Sequence, residues 1–146
     1  MGEFRKLSDT FYASPQVSPQ DISEAAAMGM ALVVNNRPDG EAADQPEGAA
    51  IEAATRAAGM DYLAIPIGSA GFSEPQVERL QNALASAQGP VLGFCRSGTR
   101  STLLWSLAKA RSGGDPDAIA EAAAAVGYDV SPVRPAMDMF AARAAE

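Results

Sequence analysis

Histidine is missing from the chain altogether. That removes Cys–His dyads, Ser–His–Asp triads and histidine-ligated metal sites built from these residues. Cysteine occurs once, at Cys95. A single thiol allows no internal disulfide and suits a reducing compartment, so a cytoplasmic protein is expected. One thiol without imidazole also leaves no ligand set for a structural zinc, and no motif implies a metal or a cofactor. Positive charge is sparse: 11 Lys and Arg against 18 Asp and Glu leave a net charge of −7, which argues against nucleic acid as a partner. No apolar run approaches the length of a membrane span and no N-terminal secretory pattern is visible, so neither a membrane partner nor export is expected. Any catalysis must run on thiol, carboxylate, guanidinium, hydroxyl and backbone.

What is present suffices for one core. The chain has 146 residues, 47% of them hydrophobic, which fits a single domain over residues 1–146. No repeat, low-complexity tract or linker divides it. Met1 to Phe4 carry no weight in the reading. Phe11–Ser14, Ala31–Val34, Asp61–Ile65 and Pro90–Phe94 read as short strands. Between them, helical spacing and caps predict a helix after Ser18 with Asp21 in its capping box and Ile22, Ala25, Ala26 and Met28 along it. Further helices are expected over Ala49–Ala58, after the capping box Ser73–Gln76, from Thr99 onward, from Asp115 to about Val126, and from Met137 to Ala145. Met139 and Phe140 are the expected docking residues of the last one, and Trp105, Met137 and Met139 are core candidates. Alternating strands and helices predict an α/β fold of about four parallel strands flanked by helices, with an added N-terminal edge strand.

The stretch that bears chemistry is Cys95-Arg96-Ser97-Gly98-Thr99-Arg100-Ser101, between a predicted strand and a predicted helix. A helix start leaves amide groups unpaired and carries partial positive charge. Successive amides turned inward form a nest for an anion. Gly98 permits a backbone angle other residues resist, and Arg100 in the first turn can add a two-pronged donor. A thiol at the strand end faces that field and is expected to ionise readily. Thiolate plus oxyanion cradle is a nucleophile with its substrate site attached. A lone cysteine is more often a small buried hydrophobe, but a core thiol has no need of Arg, Gly and Arg at these positions. Cys95, Arg100 and Ser101 are therefore the catalytic candidates, and Arg96, Ser97, Gly98, Thr99 and Arg100 the anion-binding set. Ser101 is read either as a hydrogen-bond donor to the thiolate or as a helix-start hydroxyl. Arg96 is read as facing outward, to recruit anions or simply as a solvated side chain.

Other polar loops follow predicted strands. Asn35 to Glu41 lies where open α/β sheets bind ligands, which makes Asn36, Arg37 and Asp39 second-tier candidates. The same segment also reads as turn chemistry, since Pro38-Asp39-Gly40 is a strong turn signal. Pro66 to Phe72 is a second such loop and contains no carboxylate.

The Cys95–Ser101 loop resembles two families with a catalytic cysteine at a strand–loop–helix junction. Cysteine-dependent phosphatases place five residues between Cys and Arg; rhodanese sulfurtransferases place four, as Cys95 and Arg100 do. The upstream half, Ala13-Ser14-Pro15-Gln16 through Val33-Val34-Asn35-Asn36-Arg37-Pro38, is similar to dual-specificity phosphatases. Together these segments resemble the beta-lactamase-hydrolase-like, or DUF442, phosphatase-like family, whose members are assigned in part to sulfur transfer and sometimes fused to persulfide dioxygenases. The resemblance implies a cysteine-phosphatase-like fold and a small anionic substrate: thiosulfate, a persulfide or a phosphate ester. It also implies a persulfide-oxidising enzyme as a partner.

Two features bear on the reaction. The cradle is one residue shorter than in phosphatases, hence tighter by at most about 3.6 Å of chain. Dual-specificity phosphatases carry an acidic residue in the loop corresponding to Pro66–Phe72; here the first carboxylate is Glu74, in the next helix. General acid catalysis is worth roughly 10²–10⁴-fold, and sulfite leaving thiosulfate needs no proton. Asp39, Glu41 or Asp44 remain alternative acids. The leading expectation is a sulfurtransferase working through a Cys95 persulfide. The alternatives are a phosphomonoester hydrolase working through a phosphocysteine, or a non-catalytic anion-binding module.

Overall fold

Short apolar runs assemble the sheet. The computed structural model describes residues 3–146; Met1 and Gly2 lie outside them. Its strands are β1 (Arg5–Ser8), β2 (Phe11–Ser14), β3 (Leu32–Asn35), β4 (Asp61–Ala64) and β5 (Val91–Phe94), in the spatial order β1-β2-β5-β3-β4. β1 is antiparallel to β2, and every other pairing is parallel, so four parallel strands carry one N-terminal edge strand. Strands β3 and β5 are buried along their whole length, as the apolar runs Leu32–Val34 and Val91–Phe94 in a covered parallel sheet should be; Asn35 at the end of β3 is buried with them. Leu92 of β5 pairs with Tyr12 on one side and Val33 on the other, which puts β5 in the middle.

Helices cover both faces. α1 (Pro19–Ala27) and α2 (Gly48–Ala57) lie on one face, where Ile22, Ala25 and Ile51 bury against Val33, Leu92 and Phe94. α3 (Glu74–Ser86), α4 (Thr99–Arg111), α5 (Pro116–Ala125) and α6 (Arg134–Ala144) lie on the other. The caps expected from the sequence form: reciprocal boxes at Ser18–Asp21 and Ser73–Gln76, and Asp115 accepting from the Asp117 amide. α4 runs through the centre of its layer, packed by α3, α5 and α6, and nine of its residues are buried. A helix with so little exposed surface has a core on nearly every side. It approaches β5 closely because position 93 is glycine: a Cβ there would come within 2.6 Å of Phe11 and 3.4 Å of the Ser101 Cβ.

Three expectations need correction. The last helix begins at Arg134, not Met137, because a 3-10 turn at Ser131–Val133 feeds straight into it and Pro135 fits the first turn. Met139 does not dock: it is 48% exposed, while Met137 and Phe140, three residues apart on one helix face, are buried. Met28 is likewise exposed, since it caps α1 beyond its buried stripe. Among the described residues no helix is long and apolar enough to cross a membrane.

Candidate active site

The polar groups of interest gather at the carboxyl ends of the parallel strands. Cys95 follows β5 directly. Its amide donates to the Ser14 carbonyl at 3.3 Å, and the Asn36 amide donates to the Phe94 carbonyl at 2.9 Å. Both neighbouring strands therefore hold the point where β5 ends. The chain then turns through Arg96, Ser97 and Gly98 into α4. Gly98 is the N-cap, with φ of +92°, a left-handed angle that favours glycine.

This turn folds the loop around the sulfur. The Gly98 amide donates to Cys95 Sγ at 3.1 Å. Cys95 is buried, beneath the positive end of α4. The amides of Arg96 and Ser97 have no protein acceptor among the described residues, so they are available to an anion. The side chains of Arg96, Ser97 and Thr99 are solvent-facing; Ser97 Oγ donates to Thr99 Oγ1 at 3.0 Å and accepts from the Thr99 amide at 3.4 Å. Behind the loop, the Tyr128 hydroxyl donates to the Ser97 carbonyl at 3.2 Å, and its ring carries the Arg5 guanidinium 4.9 Å from the centroid. Burial raises the Tyr128 pKa above the ordinary phenol value.

Arg100 belongs to a chain of charges. Its Nη1 and Nη2 donate to Glu41 Oε2 and Oε1 at 2.7 and 2.8 Å, and Nη1 donates to the Ile67 carbonyl at 2.7 Å. Glu41 also receives Arg37 Nε at 3.0 Å, and Arg37 Nη1 donates to Gln16 Oε1 at 3.0 Å. The hydrogen bonds from Arg100 outweigh desolvation and, with those from Arg37, hold Glu41 at a pKa of about 2. The reciprocal hydrogen bonds with Glu41 raise Arg100 above its ordinary value.

The second-tier residues take structural roles. Asn36 is a buried bracket: its Nδ2 donates to the Ile65 carbonyl at 2.9 Å and its Oδ1 accepts from Ser101 Oγ at 2.8 Å. The single hydroxyl hydrogen of Ser101 is thus used by Asn36, and the expected bond to the thiolate is not what it makes. Arg37 is almost fully buried and braces Glu41. Asp39 turns to the start of α2, accepting from the Gly48 amide at 2.8 Å, and so is engaged away from the cradle. Glu41 is an ionised partner of two guanidiniums, not a proton donor at neutral pH. Glu74 is bound by Arg143 and Arg111, and its pKa is lowered by them. Among the described residues no cluster of thiol and carboxylate side chains is placed to hold a metal ion. Gln16, Ile67 and Tyr128 are site neighbours that the sequence reading missed. They come from three separate connections, and only Gln16 sits in a segment that the family resemblance marks.

Residues 3–112 match the family described as beta-lactamase hydrolase-like protein, phosphatase-like domain. The chain belongs to that family. A beta-lactamase hydrolase-like protein of Agrobacterium fabrum is 36% identical over 104 residues, 71% of this chain and 24% of the relative. One from Xylella fastidiosa is 33% identical over 107 residues, 73% of this chain and 25% of the relative. The chain thus spans about a quarter of the length of these curated relatives. A solved structure from Neisseria meningitidis, named as a candidate phosphatase, is 32% identical, covers 92% of this chain and 96% of its own, and superposes with a TM-score of 0.80. More distant structures share the fold: PTPMT1 in complex with PI(5)P, at 13% identity and TM-score 0.74, covers 97% of this chain and 98% of its own. TpbA of P. aeruginosa in complex with pTyr, at 20% identity and TM-score 0.68, covers 98% and 90%. The family member described here therefore has the α/β fold of the protein tyrosine phosphatase-like phosphatases.

Proposed function

We propose that this phosphatase-like domain, residues 1–146, is a cysteine-dependent phosphomonoester hydrolase. The observation that carries the reading is Cys95 Sγ at the end of β5, receiving the Gly98 amide from the turn that leads into α4, whose first turn carries Arg100. In this mechanism the Cys95 thiolate attacks phosphorus, a P–S bond forms, and the P–O bond to the leaving group breaks. Water then attacks the phosphocysteine and releases phosphate and the thiolate. The free amides of Arg96 and Ser97 and the Arg100 guanidinium stabilise the oxygens as charge builds on them, while the Gly98 amide stays on the sulfur. Exposed Arg96 draws anions toward the loop. Glu41, held ionised, gives the leaving oxygen no proton, so aryl esters, whose phenol has a pKa of roughly 10, are favoured over alkyl esters. Phosphatase-fold neighbours crystallised with pTyr and PI(5)P support a phosphate ester as substrate. A thiol that must stay reduced suits the cytoplasm.

Sulfur transfer is the second reading, favoured by the four-residue spacing from Cys95 to Arg100 and by the carboxylate-free Pro66–Phe72 loop. Here the thiolate attacks the sulfane sulfur of thiosulfate, the S–S bond breaks, and sulfite leaves with the electron pair. The Cys95 persulfide passes its sulfur to cyanide, to a thiol or to a persulfide-oxidising enzyme. Two measurements separate the readings. Turnover of an aryl phosphate by the wild type, abolished in Cys95→Ser, is expected for the hydrolase. A gain of one sulfur atom at Cys95 after thiosulfate, with no phosphate release, would replace it by the transferase. Phosphate affinity with neither activity, little changed in Cys95→Ser, would leave a non-catalytic anion-binding module.

A further inference from the structure

Arg100 has five N–H donors arranged in a plane. Glu41 takes two across the end of the guanidinium, one from Nη1 and one from Nη2. The Ile67 carbonyl takes the second Nη1 hydrogen. The hydrogens left over are those of Nε and the second of Nη2. They lie side by side on one edge, parallel and spaced to grip two oxygens of one anion. Only that edge has hydrogens left for a ligand in the loop, since Glu41 and the Ile67 carbonyl take the other three. Glu41 is itself anchored by Arg37, and Arg37 by Gln16. The chain Gln16–Arg37–Glu41–Arg100–Ile67 thereby joins the loops that follow β2, β3 and β4 to the first turn of α4.

We propose that Glu41 is a positioning residue of the anion site. Ionised, it holds the end edge of Arg100 so that the Nε/Nη2 edge is presented to an oxyanion lying on Cys95. Glu41 does not touch the substrate and remains in place when an anion binds. This rests on the reading of the loop as an anion cradle, whichever group is transferred. The opposite role for the same ion pair is a built-in competitor, a carboxylate occupying the arginine until substrate displaces it. The two roles differ in sign. Loss of a positioning carboxylate weakens anion binding, and loss of a competitor strengthens it.

Alkylation of Cys95 by iodoacetamide, followed by intact mass, reads the site without assuming a reaction; inorganic phosphate is the probe. The full chain is compared with Glu41→Gln, which loses the charge and one acceptor, and Glu41→Asp, which keeps the charge but falls short of both prongs. Phosphate should protect the wild type, and the protecting concentration should rise by about tenfold or more in each variant, the loss expected when a charge-assisted fork is no longer held in place. A carboxylate with only a structural role would lower the melting temperature and leave that concentration unmoved. Unchanged or tighter protection in a folded variant overturns the proposal and leaves the cradle standing. No protection of the wild type removes the cradle reading and this inference with it. Should both variants fail to fold, a structure of the wild type with phosphate decides. Phosphate on the Nε/Nη2 edge with Glu41 still on Nη1 and Nη2 is expected, and phosphate in place of Glu41 overturns it.

Discussion

Glu41 and Gly98 show how much a single side chain, or its absence, controls here. Folding lowers the Glu41 pKa from 4.5 to about 2. A depressed carboxylate contributes stability that is fully present above about pH 4.5 and lost as pH falls through about 2. Urea unfolding at a series of acid pH values should therefore show wild type and Glu41→Gln converging as this contribution disappears. Glu74, held low by Arg143 and Arg111, appears in both curves, so their difference isolates Glu41. A constant gap down to the lowest pH would show that the ion pair does not form. At Gly98 two costs coincide. Alanine would be strained at φ of +92°, by roughly 1–2 kcal/mol, and its Cβ would run into the Tyr128 hydroxyl. Gly98→Ala should displace the amide from Cys95 Sγ and lower aryl phosphate kcat/KM at least about tenfold, with a drop in urea midpoint. Gly98 and Arg100 were legible in the sequence because a helix start beside a thiol has a recognisable composition. Glu41 was legible only as a carboxylate: its partner lies 59 positions away, and no local pattern encodes that distance.

Among the elements, α4 and the connection after α5 decide the state of the loop. α4 aims its first turn at Cys95 and is held by packing on nearly every side. Tyr128, which follows α5, reaches back to the Ser97 carbonyl and backs the loop from behind. Tyr128→Phe keeps the ring but deletes that hydrogen bond. It should cost about 0.5–1.5 kcal/mol in urea unfolding and speed alkylation of Cys95 as the loop loosens. Unaltered stability and alkylation would mean that the bond carries nothing. The four parallel strands, the capping boxes and most helix ends are readable in the sequence, since apolar runs, Ser-x-x-Asp or Ser-x-x-Gln spacing and Gly-Pro breaks are local signals; β1, Arg5-Lys6-Leu7-Ser8, carries no such run. The start of α6 was misread because Ser131-Pro132-Val133 resembles a loop by composition, whereas it forms a helical turn continuous with the helix.

Over the whole molecule, the family match ends at residue 112, but the fold does not. α5 and α6 close over α4, and Met137 of α6 is fully buried. Met137→Ala should cost about 2–5 kcal/mol by cavity formation, whereas Met139→Ala, at a 48% exposed position, should stay within about 0.5 kcal/mol. Denaturation of the two variants side by side measures this. Equal costs would contradict the placement of α6. Both methionines fit an apolar stripe in the sequence, and only docking against α4 distinguishes them.

The chain's residues were enough to specify the α/β class, the four parallel strands, and the strand–loop–helix junction that carries Cys95, Gly98 and Arg100, whereas the edge strand Arg5–Ser8 had no apolar run to mark it. These depend on periodicity, on capping and on the chemistry of neighbours along the backbone. Folding alone could set what faces that loop. It turned Ser101 to Asn36, Asp39 to the start of α2, and Glu41 to Arg100. The Asp39 bond closes the β3–α2 connection on itself, whereas the Ser101 and Glu41 bonds join segments 65 and 59 positions apart, and such partners are chosen by which segments the sheet order brings to the same edge.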